Sequence, residues 1–356
     1  MSVFVIAEAG VNHNGSIEQA FELVDVAAEA GADAVKFQTF RADALASASA
    51  PKAAYQTETT DAAETQVDML RALELSEEQH HAIASHCDER GIQFLSTPFD
   101  IRSAKFLVRV FDVSRLKVPS GEITNGPLLL AVARLRRPVI LSTGMSTLGE
   151  VEDALSVLAY GFTEDHSSPT KEALQQAFAS EEGQKALHEK VTVLHCVTEY
   201  PAPVETVNLR VMDTLASAFS LPVGLSDHTM GTAVPIAAVA RGATIIEKHF
   251  TLDQSMEGPD HRASLEPDEL HEMIKGIRAV EKALGHSTKA PTGPEWANRT
   301  AARKSLVATA PVQKGEPFTA ENIGAKRPGG GVSPMKYWSY LNKESQHTYK
   351  EGEQIR

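Results

Sequence analysis

"PVGLSDHTMGTAVPIAAVARGATIIEKHFTLD" (222–253) contains two short apolar runs, 222–227 and 243–249, on either side of a helical pattern at 231–241. Each run ends in polar residues: Ser226, Asp227 and His228 after the first, Glu247 and His249 at the second. A strand, a helical crossover and a second strand imply two parallel strands of one sheet. The question is whether this unit stands alone or is one turn of a repeat.

It is a repeat. Further strand-like runs rich in Val, Ile, Leu or Phe occur at 3–9, 33–38, 93–98, 114–120, 138–144 and 191–196. Helical patterns lie at 16–30, 76–90, 101–109, 126–136, 147–159, 208–219 and 267–284. The last begins with Glu266 and Pro267, carries acids in its first turn, and ends at Gly285. Eight strand–helix units predict a closed (β/α)8 TIM barrel over residues 1–285. The rival architecture, a doubly wound open sheet, usually carries a glycine-rich phosphate turn after its first strand. Here that turn reads "AEAGVNHNG" (7–15), which lacks the G-x-G-x-x-G spacing.

Two segments interrupt the period. The Ala/Ser/Thr-rich stretch at 40–75 would form a long loop over the barrel mouth, and 163–190 reads as an acidic helical insertion on the surface. After residue 285 the pattern changes: 286–300 reads as a linker, and 301–356 as a small, separate β-rich domain.

Composition fits a soluble globular protein, with 42% hydrophobic and 23% charged residues among 356. A net charge of −13 argues against nucleic acid or an anionic membrane as partner. No apolar run approaches the roughly 20 residues of a membrane span, and the N-terminus does not read as a signal peptide. Cys87 and Cys196 are the only cysteines, too few for a disulfide framework. These features describe a cytoplasmic protein.

In such a barrel the chemistry gathers at the carboxyl ends of the strands. In order, those ends supply Glu8; Lys36 and Gln38; Thr97; Lys117, Ser120 and Glu122; Ser142; His195 and Cys196; Ser226, Asp227 and His228; and Glu247 and His249. Residues i and i+2 of a strand share a face, so Lys36 and Gln38 point together, as do Ser226 and His228, and Glu247 and His249. On adjacent strands His228 and His249 come within reach of one cation. Two imidazoles with water or substrate oxygens suit Mn2+, Fe2+, Co2+ or Zn2+; taken singly, each would read as a hydrogen-bonded core histidine. Lys36 and Lys117 are costly at inward positions unless an anion answers them. With Ser120, Ser142 and Ser226 they form a phosphate cradle, or else they pair internally with Glu8, Glu122 or Glu247. Lys117 and Ser120 have opposite parity, so both face the site only if the strand ends or bulges at "KVPSGE" (117–122), where Pro119 cannot extend a ladder.

"AEAGVNHNGS", "AVKFQTF", "STPFD", "KVPSGE", "ILSTGM", "LHCVTEYPAP", "GLSDHT", "IEKHFTLD", "GPDHRAS" and "KRPGGG" together resemble, in order and spacing, the sialic acid synthases, whose C-terminal domain is antifreeze-like (SAF). The resemblance runs over nearly the whole chain. It implies metal-dependent condensation of phosphoenolpyruvate with the open-chain aldehyde of an N-acylated amino sugar. Water is consumed and phosphate leaves by C–O cleavage. N-acetylmannosamine, giving N-acetylneuraminate, is the first expectation. A modified hexose leading to a legionaminic acid is the alternative, and pseudaminic acid is less favoured.

Carried onto this chain, the resemblance implies His228 and His249 as metal ligands, with Mn2+ ahead of Mg2+ or Co2+. It places phosphoenolpyruvate on Lys36, Lys117, Ser120, Ser142 and Ser226, and the sugar on Gln38, Tyr200, Asp260 and Arg327. Glu8 and Glu122 are the catalytic carboxylates, either of which could move the water's proton. Arg327 would reach the active site of a partner in a domain-swapped homodimer. "KRPGGG" departs from the frequent "KRPGNG" at Gly330, which leaves that loop freer. Two further readings differ in kind: a barrel that has lost activity and only binds, and a class-I aldolase working through a lysine Schiff base, which would ignore chelators.

Overall fold

The eight apolar runs become eight parallel strands: β1 (Phe4–Gly10), β2 (Ala34–Thr39), β3 (Gln93–Pro98), β4 (Leu116–Val118), β5 (Val139–Ser142), β6 (Val191–Cys196), β7 (Val223–Asp227) and β8 (Ile245–His249). They are seen in a computed structural model that describes residues 2–47, 49–52, 56–57, 64–164 and 168–356. Neighbours along the sheet run β3-β2-β1-β8-β7-β6-β5-β4. The decisive pairing is β1 with β8, in register from Phe4 opposite Ile245 to Glu8 opposite His249. Pairing of the first and last strands rolls the sheet into a nearly closed barrel, with β3 beside β4 at the seam. An open doubly wound sheet is thereby excluded.

Local signals account for the helices. Ser16 caps Ile17–Ala30 by accepting from Gln19 N, and Gly31 ends it at φ 82°. Its buried stripe of Ala20, Leu23, Val24 and Ala27 meets the outer faces of the strands. The helix Pro267–Leu284 starts with a capping box between Glu266 and Glu269. Apolar strand residues facing these helices, such as Val5, Ala7, Val35 and Val193, build the main core; each fully buried aliphatic side chain contributes about 1.5–3 kcal/mol.

The stretch 163–190 is more than a surface excursion. It forms helices Lys171–Ala179 and Glu181–Lys190, whose Ala177 and Leu187 are buried in the main core. Within 40–75 the structure describes helices Ala42–Leu45 and Gln66–Leu73; residues 48, 53–55 and 58–63 of that expected loop lie outside the described residues, as do 165–167 of the insertion.

The chain divides into two units, Met1–Gly285 and His286–Arg356. The stretch 286–300, expected as a linker, is helical over Gly293–Ala302, started by a capping box between Thr292 and Glu295 with a proline in its first turn. The rest of the second unit has one antiparallel ladder, β9 (Ser305–Ala308) with β10 (Ile323–Lys326), and single bridges such as Val312 to Tyr349. Leu306, Val312, Phe318, Ile323 and Ile355 form its small core. Among the described residues no helix is long and apolar enough to cross a membrane.

One buried histidine links this fold to pH. His13 is 1% exposed and accepts from Gly15 N through Nδ1. Burial, with His80 and His261 adding, pushes it down to about 4. The unfolded chain therefore binds a proton here that the folded chain refuses, and the stability present above pH 6.5 is lost as pH falls toward 4. Burial raises Glu8 to about 7 and Asp260 to about 6, which acts in the opposite sense. His13 is therefore read by difference against His13→Gln. The wild type's margin in unfolding free energy is expected to shrink by about 2–3 kcal/mol between pH 7.5 and 4.5; a constant margin would refute the assignment.

Candidate active site

Inside the barrel the side chains change character in steps of two residues. Ile6, Ala34, Leu95, Ile140, Leu194 and Ile245 form an apolar floor. Two positions further along the same strands stand Glu8, Lys36, Thr97, Ser142, Cys196 and Glu247, joined by Lys117 of β4 and Ser226 of β7. Two positions further again, Gln38, His228 and His249 rim the mouth. The odd partners of these residues face outward. His195 is bonded through Nε2 to the Val207 carbonyl, and Asp227 pairs with Lys248 on the far side of the wall.

The two lysines are answered from within the layer. Lys36 Nζ lies 2.5 Å from Glu8 Oε2 and 3.6 Å from Glu247 Oε2, and donates to Thr97 Oγ1 at 2.7 Å. Lys117 Nζ lies 2.7 Å from Glu247 Oε1, which also accepts from Ser226 Oγ at 2.8 Å. The two carboxylates fare differently. Burial raises Glu8 to about 7, opposed by Lys36. Glu247, although equally buried, is held well below the usual carboxylate range by Lys117 and then Lys36. The lysines thus adopt internal pairing, with Glu8 and Glu247. Ser142 Oγ is buried in the same layer and has no hydrogen-bond partner among the described residues.

β4 stops at Val118, and after Pro119 the chain turns into a 3-10 helix over Ser120–Glu122. That break resolves the parity conflict, bringing Ser120 to the cavity beside Lys117. Ser120 Oγ accepts from Gly144 N at 3.0 Å. Glu122 is half-buried at the rim, where Asn125 Nδ2 donates to it at 2.6 Å.

His228 and His249 have ring centroids 5.3 Å apart, and the Tyr200 ring lies 4.1 Å from that of His228. His228 Nδ1 donates to Val197 O at 2.7 Å, which leaves Nε2 for a ligand. Burial and then His228 hold His249 well below the ordinary histidine range, so it is a neutral donor. Its Nδ1 has no hydrogen-bond partner among the described residues and lies 3.7 Å from Asp260 Oδ2. Among the described residues no three His, Cys, Asp or Glu side chains are gathered for a metal ion. Two imidazoles with an unpartnered nitrogen fit a divalent cation whose other positions are filled by substrate oxygens or water.

Twelve of the thirteen site residues read from the sequence line one cavity of about 760 Å3. Arg327 is the exception; it follows β10 in the second unit and is exposed. Gly330 nearby has φ 101°, a backbone that glycine adopts without strain and a Cβ-bearing residue does not. The sequence reading offered Glu247 as one of three possible partners of the lysines and left it out of the site residues; the structure makes it a partner of both. Met145 and Phe99 of the loops and Leu70 of the helix Gln66–Leu73 also line the cavity, and the strand-parity rule does not reach them.

Comparison with known proteins follows the same division of the chain. A model of the NeuB family matches residues 23–289, and one of the SAF domain matches 303–356. The chain is 46% identical over 352 residues to an N,N'-diacetyllegionaminic acid synthase of Campylobacter jejuni, covering 99% of this chain and 98% of that protein. It is 44% identical over 338 residues to the enzyme of that name in Legionella pneumophila, covering 94% and 88%. Among solved structures, the N-acetylneuraminic acid (sialic acid) synthetase of Leptospira borgpetersenii, crystallised with citrate, aligns at a TM-score of 0.67 with 31% identity, covering 84% of this chain and 90% of that one.

Proposed function

The chain belongs to the NeuB family, the sialic acid synthases, which condense phosphoenolpyruvate with a sugar, and from this we propose that its sugar is a hexose bearing two acetamido groups. The product would be a diacetylated legionaminic acid. The observation that carries the choice is the identity of 46% and 44% to two proteins named for that product. N-acetylmannosamine, first in the sequence reading, moves to second place.

The phosphate of phosphoenolpyruvate enters the layer of Lys36, Lys117 and Ser226, with the free hydroxyl of Ser142 and with Ser120 completing the cradle. The lysines then exchange part of their pairing with Glu8 and Glu247 for the incoming anion. His228 and His249 would hold a divalent cation, Mn2+ ahead of Mg2+ or Co2+, which would supply Lewis-acid polarisation of the sugar's aldehyde oxygen. Gln38, Tyr200 and Asp260 hold the sugar so that its C1 faces C3 of phosphoenolpyruvate. The C2=C3 double bond of phosphoenolpyruvate opens as C3 bonds to C1, and the aldehyde oxygen takes a proton to become a hydroxyl. Water then adds at C2, giving up a proton that balances the one taken by the hydroxyl. The C2–O bond to phosphate breaks, C2 becomes the ketone and the second water proton leaves with the phosphate. Glu8, raised to about 7, can accept the first water proton near neutral pH, with Glu122 at the rim as the alternative base. Arg327 would complete the sugar site from a second copy of the chain, in a homodimer that exchanges its C-terminal units.

The test is phosphate release from phosphoenolpyruvate with each sugar, after EDTA treatment and after Mn2+ is restored. Release should require sugar and metal, vanish in His228→Ala, and favour the diacetamido hexose over N-acetylmannosamine by about ten-fold or more in kcat/KM. Preference for N-acetylmannosamine would return the assignment to N-acetylneuraminate. Activity indifferent to EDTA would remove the metal.

A further inference from the structure

Two loop sequences, "NHNG" (12–15) after β1 and "GPDH" (258–261) after β8, have so far been given a role only at His13 and Asp260. Buried hydrogen bonds join them. Asn12 Nδ2 donates to the Phe250 carbonyl at 2.7 Å and to Ser264 Oγ at 2.9 Å, and Ser264 Oγ donates to the Asp260 carbonyl at 2.7 Å. Asn14 Nδ2 donates to the Glu257 carbonyl at 3.0 Å, while its Oδ1 lies 3.1 Å from His261 Nε2. An amide oxygen only accepts, so His261 Nε2 carries the proton, and Nδ1 accepts from Thr251 Oγ1 at 2.6 Å. Asn12, His261 and Ser264 are each at most 1% exposed. Gly258 belongs to the same device: a Cβ there would meet His261 Cδ2 at 2.6 Å and Asn14 Oδ1 at 2.8 Å.

Asp260 is therefore held from both sides by the β1 loop, through Ser264 at its own carbonyl and through Asn14 at residues 257 and 261. Among the described residues its carboxylate has no such support; it lies 3.7 Å from His249 Nδ1 and lines the cavity. We propose that Asn12, Asn14 and His261 are positioning residues that clamp the 251–264 loop and so set the sugar end of the site, leaving the phosphate end untouched. The proposal rests on the assignment of Asp260 to the sugar. Its geometric basis is the separation of the two ends: the clamp touches none of Lys36, Lys117, Ser142 or Ser226, which sit in the layer below. Such outer hydrogen bonds fix the direction of a ligand-contacting group and are felt in affinity rather than in fold.

Two measurements on the full chain decide it. The first is amide hydrogen exchange of peptides from 251–264 in Asn14→Ala and Asn12→Ala. The second is steady-state phosphate release with each reactant varied, including His261→Phe and His261→Gln. Exchange of the loop should quicken while the barrel strands stay protected. The KM for sugar should rise about ten-fold with the KM for phosphoenolpyruvate within about two-fold, and His261→Gln, which keeps an N–H donor, should recover most of what His261→Phe loses. Unchanged exchange in both asparagine variants would overturn the clamp, as would a parallel rise in both KM values. A wild type inactive on every amino sugar would sink the proposed function, and the exchange measurement would still decide the clamp.

Discussion

Lys117→Met is expected to lower kcat/KM about a thousand-fold and to cost about 3–5 kcal/mol of stability, two losses with one origin. Lys117 Nζ lies 2.7 Å from Glu247 Oε1, and both side chains are almost fully buried. With the lysine gone, Glu247 retains Ser226 Oγ at 2.8 Å and Lys36 at only 3.6 Å, so a carboxylate stays inside the barrel with much of its compensation removed. The rate falls for a different reason, since a positive charge has been taken from the proposed phosphate cradle. The double variant Lys117→Met/Glu247→Gln separates the two: it removes the stranded charge but cannot replace the cation. Denaturant unfolding should show most of the stability restored, while phosphate release stays near the level of the single variant. If the rate returned with the stability, Lys117 would be a structural lysine and the phosphate cradle would have to be redrawn.

The second large effect lies behind the site. Lys248, fully buried on the outer face of the barrel, pairs with Asp227 Oδ2 at 2.6 Å and also donates to the Thr229 carbonyl. Asp227 in turn accepts from Thr229 N at 3.2 Å and from Thr229 Oγ1 at 3.0 Å. The pair ties the end of β7 to the end of β8, next to His228 and His249. Lys248→Met should lose about 3–5 kcal/mol by leaving Asp227 unpaired, lowering the melting temperature by roughly 10 °C. Lys248→Met/Asp227→Asn should recover more than half of it, because the amide no longer strands a charge. A melting temperature within about 2 °C of wild type in Lys248→Met would show that the pair holds nothing in place.

Much of this arrangement was legible in the chain because barrel geometry turns sequence parity into direction. Once β7 and β8 were recognised, the spacing of Ser226 from His228 and of Glu247 from His249 placed all four inside. Pro119 marked where β4 would break. What parity cannot give is the partner chosen across the barrel: Glu247 could have answered either lysine, neither or both, and that depends on the tilt and closure of the strands. Nor could it give contacts between distant loops. Asn14 and His261 are 247 positions apart, and nothing local to either segment marks them as neighbours. The 163–190 insertion was underread because its burial rests on a few positions, Ala177 and Leu187 among them, in helices whose other faces are polar. The identity of the sugar was least legible, since the loop side chains that line the mouth, Met145 and Phe99 among them, follow no strand-end pattern.

The internal pairing of the lysines has a consequence for how the reactant arrives. Two cations already neutralised a few ångströms away by Glu8 and Glu247 project little field past the mouth, and the chain as a whole carries a net charge of −13. If the two lysines hold the phosphate as proposed, long-range electrostatic steering, which accelerates anion capture by an open basic cleft, would contribute little to its arrival. The anion would gain its attraction only after entering and displacing a carboxylate from a lysine. Added salt would then act on the rate of encounter mainly by screening the repulsion from the net-negative chain. Selectivity among small anions would be exercised at that exchange inside the barrel, where a competing group must replace the carboxylates.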